Sequence, residues 1–163
     1  MRLTSRSRGF SLIELLVVVA VLLTLMAIAI PNLMRARGTA NEASAVASIR
    51  AISTAQTTYQ QTYGVGYAPS LLALGPGAGG APTAAAADLL DQVLASGQKT
   101  GYNFPYNPID ADGDGRFESY TIQGNPIVPG QTGSKYFFSD ESNVIRFSTV
   151  GPATAASQPI PPQ

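Results

Sequence analysis

The strongest constraint in this sequence is the apolar run of residues 10–30, which contains one charged side chain, that of Glu14. At about 1.5 Å per residue, a helix over this run would span roughly the 30 Å hydrocarbon core of a bilayer. A helix that is apolar on every side has no face to turn towards water, so it lies in a membrane or against other protein. Residues 10–30 therefore predict a transmembrane or assembly helix.

The helical periodicity continues over residues 31–63, but only one face is apolar there. That face is predicted to carry Val46, Ile49, Ile52, Ala55, Tyr59 and Tyr63. The polar residues between them are predicted to lie off the stripe, namely Glu42, Ser48, Arg50, Ser53 and Thr57. An amphipathic helix of this kind packs against a globular domain. It is expected to end near Tyr63, because Gly64 can take the left-handed conformation that closes a helix.

Two residues weaken this long helix. Pro31 lacks the backbone N–H that an internal turn needs, so it predicts a kink or local unwinding between the two halves. Gly38 is a second weak point, because glycine is a poor helix former.

Residues 64–150 predict a globular head. A loop rich in Gly, Pro and Ala covers residues 64–83, and a short helix is predicted over residues 83–96. Thr83 would be the N-cap of that helix and Gly97 would end it. Its apolar stripe would consist of Leu89, Leu90, Val93 and Leu94.

The remainder of the head has the alternating pattern and turn residues of short strands. Strands are predicted at residues 102–106, 116–123, 134–139 and 143–149, with a hairpin around residues 140–143. An antiparallel meander packed on the helix stripe would bury both apolar faces, so the predicted fold class is α+β. From residue 151 onward, four prolines in an Ala, Ser and Gln context predict a flexible tail over residues 151–163.

The composition disfavours several functions. The sequence has no His, Cys or Trp, so it lacks the commonest general base, the commonest transition-metal ligand and any thiolate. Its formal net charge is zero and no basic face is apparent, so nucleic acid is not an expected partner. No Gly-x-x-x-x-Gly-Lys motif for nucleotide phosphates is present. We therefore expect a chain that is not an enzyme.

Three interpretations compete for the N-terminal segment. A secretory signal peptide has a basic start and an apolar run, but its run is usually about 7–15 residues and holds no carboxylate. A generic single-pass anchor explains the length of the run but not Glu14, since a charge near the middle of a membrane costs about 2.5–3.5 kcal/mol. A third interpretation accounts for Gly9, Phe10 and Glu14 together.

Residues 6–16, Arg-Ser-Arg-Gly-Phe-Ser-Leu-Ile-Glu-Leu-Leu, resemble the processing signature of type IV prepilins and of the pseudopilins of type II secretion. The resemblance implies that residues 1–9 are a leader, which a prepilin peptidase removes by cutting between Gly9 and Phe10. It implies that Phe10 is then N-methylated. It also implies that Glu14 pairs with the N-terminal amine of a neighbouring subunit during assembly.

Two further positions bear on this resemblance. Ser11 replaces the Thr that is more frequent in the family, a small departure. Pro31 falls where pilins of this family carry their helix-breaking proline, so the resemblance covers the whole helix of residues 10–63. The head matches the family by pattern only.

The resemblance also implies a setting. The chain would be a structural subunit of a type IV pilus or of a type II secretion pseudopilus. Its partners would be identical subunits, related minor pilins or pseudopilins, the prepilin peptidase and an inner-membrane assembly platform. It would cross the bacterial inner membrane once, with a cytoplasmic N-terminus, and afterwards lie in a periplasmic or extracellular filament. The alternative is a membrane-anchored Ca²⁺-binding or adhesive domain that does not polymerise.

The other distinctive stretch is acidic. Its carboxylates alternate in the manner of an EF-hand loop, in which oxygens converge on one Ca²⁺, and they belong to Asp110, Asp112, Asp114 and Glu118. The match fails at its twelfth position, where Thr121 stands instead of a bidentate Glu.

Several explanations of these carboxylates stay open. A solvated Asp-Gly turn needs no metal, and the carboxylates could instead pair with Lys99 or Lys135. Repulsion between like charges favours a bound cation. The resemblance adds that major pseudopilins hold calcium in their C-terminal β region, so Ca²⁺ is the one cofactor to consider. The acidic loop and the absence of a disulfide-bounded C-terminal region both favour a pseudopilin over a pilin.

Overall fold

The computed structural model describes residues 10–161. They form a long helix and an antiparallel sheet, which confirms the predicted α+β class. The chain separates into two compact units, the first extending to Ala36 and the second beginning at Arg37. Helix α1 (Leu12–Tyr63) contributes residues to both units. The finer division into leader, membrane half, amphipathic half and head stays a prediction, and the leader lies outside the described residues.

Two short helices and seven strands follow α1 within the described residues. They are α2 (Leu71–Leu74), α3 (Gln92–Ala95), β1 (Gln98–Lys99), β2 (Tyr102–Asn103), β3 (Tyr106–Ile109), β4 (Ser119–Pro126), β5 (Tyr136–Asp140), β6 (Arg146–Ser148) and β7 (Gln158–Pro159). The sheet order is β1-β2-β4-β5-β6-β7, and β3 also pairs with β4. All of these pairs are antiparallel.

Strand β4 is the centre of the sheet. Its first half pairs with β3, with Tyr106 opposite Ile122, and its second half pairs with β2, with Tyr102 opposite Pro126. Its residues alternate between half-buried and buried, as expected for a strand that packs one face on a helix. At Gly124 a side chain would lie 3.2 Å from Ile49 Cδ1 and 3.3 Å from Phe137 Cβ, so glycine lets the strand approach α1 closely.

The core forms where the second half of α1 meets the sheet. Ile49, Ile52, Ala55 and Tyr59 are buried, which confirms the centre of the predicted stripe, and each large apolar side chain contributes about 1.5–3 kcal/mol on burial. The prediction is wrong for Ser48 and Ser53, which are buried although they were placed off the stripe. The buried face of the helix is therefore wider than a single apolar row.

Three tyrosine hydroxyls fasten loops to this core. Each donates to a backbone carbonyl: Tyr59 to Ala84 at 2.8 Å, Tyr102 to Lys135 at 2.9 Å and Tyr106 to Ala68 at 2.6 Å. Burial raises the pKa of all three tyrosines, so the hydroxyls stay protonated donors. The three hydroxyls contribute fully to the stability of the fold below the usual tyrosine pKa of about 10. That contribution is lost as the pH rises through the raised pKa values of the folded protein.

The predicted helix over residues 83–96 is wrong for most of its length. Only Gln92–Ala95 is helical, and Asp91 rather than Thr83 is its N-cap, accepting the Leu94 N–H at 3.0 Å. The N–H groups of residues 87–90 instead donate to carbonyls of residues 73–75, so backbone bonds to α2 replace those of a helix. Gly97 follows the helix end with φ +83°, as predicted.

The prediction of one strand and that of the tail are also corrected by the structure. The single strand predicted over residues 102–106 is divided between β2 and the start of β3, because Phe104 and Pro105 leave the sheet.

The tail is not free of structure, since β7 pairs with β6 and Ala153 is buried. Arg146 Nη1 donates to the Ser157 carbonyl at 3.1 Å and fixes the tail to the sheet. The hairpin predicted around residues 140–143 is confirmed by the pairing of β5 with β6.

The structure confirms the predicted C-terminal end of α1 but not the predicted unwinding at Pro31. Gly64 closes the helix with φ +66° and donates its N–H to the Gln60 carbonyl at 3.0 Å, as predicted. Pro31 lies inside the helix, which continues on both sides of it within Leu12–Tyr63. The local unwinding proposed for Pro31 is therefore not present, while the kink stays a prediction.

A close contact at Gly133 makes a test of the packing. A methyl group at Gly133 would lie 2.7 Å from Cζ of Tyr102, a fully buried ring. We expect Gly133→Ala to lower the free energy of unfolding by about 1–3 kcal/mol, because the ring must move. Gly151→Ala is the matched control, since nothing lies within 4 Å of its added methyl group. Denaturant unfolding of both variants measures the difference, and equal stabilities would contradict the packing described.

Candidate assembly site and acidic loop

The N-terminus of α1 is capped by the carboxylate of Glu14, a residue of the helix itself. The Ser11 carbonyl accepts the N–H groups of Glu14 at 3.1 Å and Leu15 at 3.3 Å, and the Ser11 N–H donates to Glu14 Oε2 at 2.9 Å. This is the carboxylate half of a capping box, in which a Glu at the third helical position satisfies the N–H of the cap residue. The cap is absent from the sequence-based prediction, although Ser followed three residues later by Glu before an apolar run signals it.

The charge on Glu14 is placed favourably for its own helix. Negative side chains near a helix N-terminus are stabilised by the partial positive charge of the unpaired N–H groups. Within residues 10–161 no ion pair involves Glu14, so this carboxylate has no cationic side-chain partner in the described chain. A shallow groove beside it is lined by Phe10, Ile13, Val17 and Val18.

The apolar side chains of the first unit are uncovered on all sides of α1. Every large one from residue 12 to residue 34 is at least 45% exposed. They are Leu12, Ile13, Leu15, Leu16, Val17, Val18, Val19, Val21, Leu22, Leu23, Leu25, Met26, Ile28, Ile30, Leu33 and Met34. Within the described residues, α1 is the one helix long and apolar enough to cross a membrane. The Thr24 hydroxyl donates to the Val21 carbonyl at 2.7 Å, so it needs no partner outside the helix.

The predicted cleavage position is only half described. Phe10 is the first described residue and is 79% exposed. Gly9 and the rest of residues 1–9 lie outside the described residues, so the proposed cut between Gly9 and Phe10 stays a prediction.

The acidic loop joins β3 to β4. Its ends are held together because Ile109 is paired with Ser119. The structure brings all four predicted carboxylates into one cluster, in which one oxygen from each lies within 4.8 Å of the others: Asp110, Asp112, Asp114 and Glu118. Thr121, at the twelfth position of the EF-hand pattern, instead lies in β4 opposite Asn107 and Asp140.

Backbone N–H groups hold these carboxylates in place. Asp110 accepts from Gly113 at 2.6 Å and from Gly115 at 3.0 Å, and Glu118 accepts from the Ala111 N–H at 2.9 Å. Both glycines have positive φ, +80° and +87°, which lets the loop fold around Asp110. The N–H of Gly115, and then that of Gly113, lowers the pKa of Asp110, so this carboxylate is charged at neutral pH.

The two lysines considered as partners of the acidic loop are engaged elsewhere. Lys99 pairs with Asp91 at 2.8 Å and Lys135 pairs with Glu42 at 3.3 Å, so the alternative in which these lysines neutralise the loop is wrong. Arg116, which the sequence did not single out, donates through Nη2 to the Gly64 carbonyl at 2.9 Å. That bond connects the acidic loop to the end of α1.

The donor set is compatible with a hard cation. Ca²⁺ prefers six to eight oxygen ligands, and four clustered carboxylates with added water supply that kind of ligand. The backbone bonds leave further lone pairs on every carboxylate. The residues that would hold such an ion are Asp110, Asp112, Asp114 and Glu118.

Comparison with known proteins bears on the N-terminal segment. Residues 4–30 match the family model described as the prokaryotic N-terminal methylation motif. Over 58 residues the chain is 41% identical to the type IV major pilin protein PilA of Myxococcus xanthus (strain DK1622). That stretch covers 36% of this chain and 26% of the relative, so the chain matches about a quarter of the length of that pilin. No solved structure matches the chain significantly.

Proposed function

We propose that this chain is a structural subunit of a type IV filament, because its N-terminal segment matches the prokaryotic N-terminal methylation motif and is similar to that of a type IV major pilin. One observation carries the proposal: the methylation motif is continuous with a helix whose apolar side chains, from residue 12 to residue 34, are all exposed. Such a surface needs lipid or other subunits around it. The role proposed is structural rather than catalytic.

Processing is the first step of this proposal. A prepilin peptidase would cut between Gly9 and Phe10, and the new N-terminus of Phe10 would be methylated. Cleavage would create a charged amine one residue before Ser11, whose N–H already bonds Glu14. A charge at the start of a membrane helix is costly when alone, and pairing with an opposite charge lowers that cost.

Glu14 would then have two successive roles. In the single subunit one of its oxygens caps the helix through Ser11, and the other remains available to a second donor. In the filament that second donor would be the N-terminal amine of a neighbouring Phe10. The pairing would fix the register between adjacent helices, because only one position along the apolar surface offers a carboxylate.

The remaining partners and locations follow from the family. Before assembly the subunit would cross the inner membrane once, with its N-terminus in the cytoplasm. The assembly platform would then add it to identical subunits and to minor pilins or pseudopilins, forming a periplasmic or extracellular filament. The relative is a major pilin, which supports a pilus, whereas the acidic loop supports a pseudopilus. Surface fibres on cells would identify a pilus; secretion lost with the gene, without surface fibres, would identify a pseudopilus.

A substitution at Glu14 separates its two roles. Glu14→Gln keeps an oxygen that can accept the Ser11 N–H but removes the charge that a neighbouring amine needs. We expect Glu14→Gln and Glu14→Ala to insert into membranes normally but to lower the filament yield by at least about tenfold, the factor that 1.4 kcal/mol per contact produces. Filaments sheared from cells and quantified by immunoblotting measure the yield.

The control for this prediction is Thr24→Ala. It changes another polar side chain inside the apolar segment, one whose hydroxyl donates to a carbonyl of its own helix. We expect filaments at the wild-type level for this variant. Normal filament yield for Glu14→Ala would contradict the assembly role of Glu14, and a wild-type function without any filaments would favour a membrane-anchored domain that does not polymerise.

We also propose that the acidic loop binds Ca²⁺. The convergence of four carboxylates supports this, since a cation relieves the repulsion among them. Through Arg116 and Gly64, an ordered loop would also stabilise the end of α1. The ion would therefore support the head rather than take part in chemistry.

Calcium addition tests this second proposal. At about 100 times its dissociation constant, an ion that binds only the folded state adds about 2.7 kcal/mol, which raises Tm by several degrees. We expect this rise for the wild type, its reversal by a chelator, and its loss in Asp112→Asn. Asp88→Asn, an exposed aspartate outside the cluster, should keep the full shift. If millimolar Ca²⁺ leaves the wild-type Tm unchanged, the loop is a solvated turn.

A further inference from the structure

The sheet of the head ends at strand β7, and this edge is open. Among the described residues no further strand pairs with β7 on its other side. Gln158 and Pro159 are exposed, while Ile160 and Pro161 border an open groove whose opposite wall is the second half of α1. An open strand edge is a template on which another chain can add a strand. The edge at β7 is therefore a place where a second copy of this chain could extend the sheet.

The pairing of β7 with β6 fixes which backbone groups of the tail face outward. The Ile160 N–H donates to the Ile145 carbonyl at 2.9 Å, so the backbone groups of residue 160 face β6. Along an antiparallel strand the residues alternate between those that bond one neighbour and those that face the other side. The backbone groups of residues 159 and 161 therefore point away from the sheet, towards any strand that would be added.

Both of these outward positions are occupied by proline. Pro159 and Pro161 have no backbone N–H, so neither can donate to a neighbouring strand. Ser157, the residue before β7, donates its N–H to the Thr154 carbonyl at 2.9 Å and is thus already bonded within its own turn. The outward side of β7 offers carbonyl acceptors but no free donor. An added strand would leave its own carbonyls without partners, and burying an unpaired backbone group is unfavourable.

The free edge of β3 carries a proline in the same way. The Pro105 carbonyl accepts the Gln123 N–H of β4 at 3.0 Å, so residue 105 faces β4. By the same alternation Pro108, which lies opposite Tyr120, has its backbone turned away from β4. Proline fits an edge strand only in this orientation, because facing inward it would remove a bond from the ladder. Proline therefore stands at an outward position on both of these edges of the head.

We propose that Pro159 and Pro161 are edge-blocking residues, which prevent a second copy of this chain from adding a strand to β7. Heads that are brought close together then cannot join their sheets, and contacts between them are made by side chains. The inference concerns any setting in which heads are crowded, and it does not require that the chain polymerises through α1.

Restoring the missing donors tests this proposal. The double variant Pro159→Thr and Pro161→Thr supplies two outward N–H groups on a residue type that favours strands. Pro152→Thr is the matched control, because it changes an exposed proline of the same tail that lies outside β7. The full chain is kept in excess detergent, which covers the apolar residues 12–34 equally in every variant. Sedimentation velocity at increasing protein concentration then measures association of the heads.

We expect the double variant to associate at least about tenfold more tightly than the wild type, a factor equivalent to 1.4 kcal/mol, because two backbone hydrogen bonds become possible. Hydrogen–deuterium exchange should show the two new amides protected in the concentrated sample and exchanging freely in the dilute one. We expect Pro152→Thr to behave as the wild type does.

Two results would overturn the proposal. One is wild-type association of the double variant at an unchanged Tm. The other is tighter association while both new amides still exchange freely, because side chains rather than an added strand would then join the heads. If the double variant is less stable than the wild type, Pro161→Thr alone decides, since residue 161 lies beyond the last residue of β7. Tighter association with its new amide protected would support the proposal, and unchanged association would contradict it.

Discussion

The rest of this structure depends on one constraint, the uncovered apolar surface of α1 between residues 12 and 34. Covering such a surface is worth on the order of tens of kcal/mol, several times the net stability of an ordinary domain. The side chains of residues 12–34 therefore favour surroundings other than water. Two environments satisfy the surface: the hydrocarbon of a bilayer, and the matching surfaces of other subunits.

Glu14 distinguishes those two environments. In a bilayer its charge is a cost, reduced by its place near the helix start and by the bond from the Ser11 N–H. Among other subunits the same charge becomes useful where an amine is in reach. In the proposed filament, the free energy that favours leaving the membrane would come from ionic pairing and helix packing rather than from apolarity, because lipid and protein cover apolar side chains about equally well.

The head has its own core, although α1, the helix on which that core is built, also contains the apolar segment of residues 12–34. The second half of α1 supplies Ile49 and Ile52, and β4 approaches them closely at Gly124. The connections are then fastened by side-chain bonds to backbone carbonyls, including the Tyr59 hydroxyl and the Arg116 guanidinium. These bonds all lie in the second unit, so the core of the head does not depend on what surrounds residues 12–34.

Local sequence signals accounted for the features that depend on near neighbours. The apolar run, the end of α1 at Gly64, the buried Ile49 and Ile52, and the clustering of alternating aspartates all follow from periodicity, glycine or spacing. The failures came where distant backbone groups compete. The alanines before Asp88 have high helix propensity, yet the N–H groups of residues 87–90 bond the chain around α2.

Two of the remaining failures also have a long-range origin, and a third is local. The proline-rich tail was predicted to be flexible from composition, but an edge strand, β6, offers it backbone partners, and Arg146 holds it there. Burial of Ser48 and Ser53 depends on how much of α1 the head covers, and the spacing of apolar residues in the sequence does not indicate this. The cap formed by Ser11 and Glu14 was readable from the sequence, since its signal is entirely local.

The most direct test of a filament subunit is the mass of its mature N-terminus. The protein is purified from cells that carry the assembly machinery, digested, and its first peptide is measured by mass spectrometry. We expect a chain that begins at Phe10 and carries one added methyl group. A chain that keeps Met1, or one that begins at residue 11 or later, would contradict it.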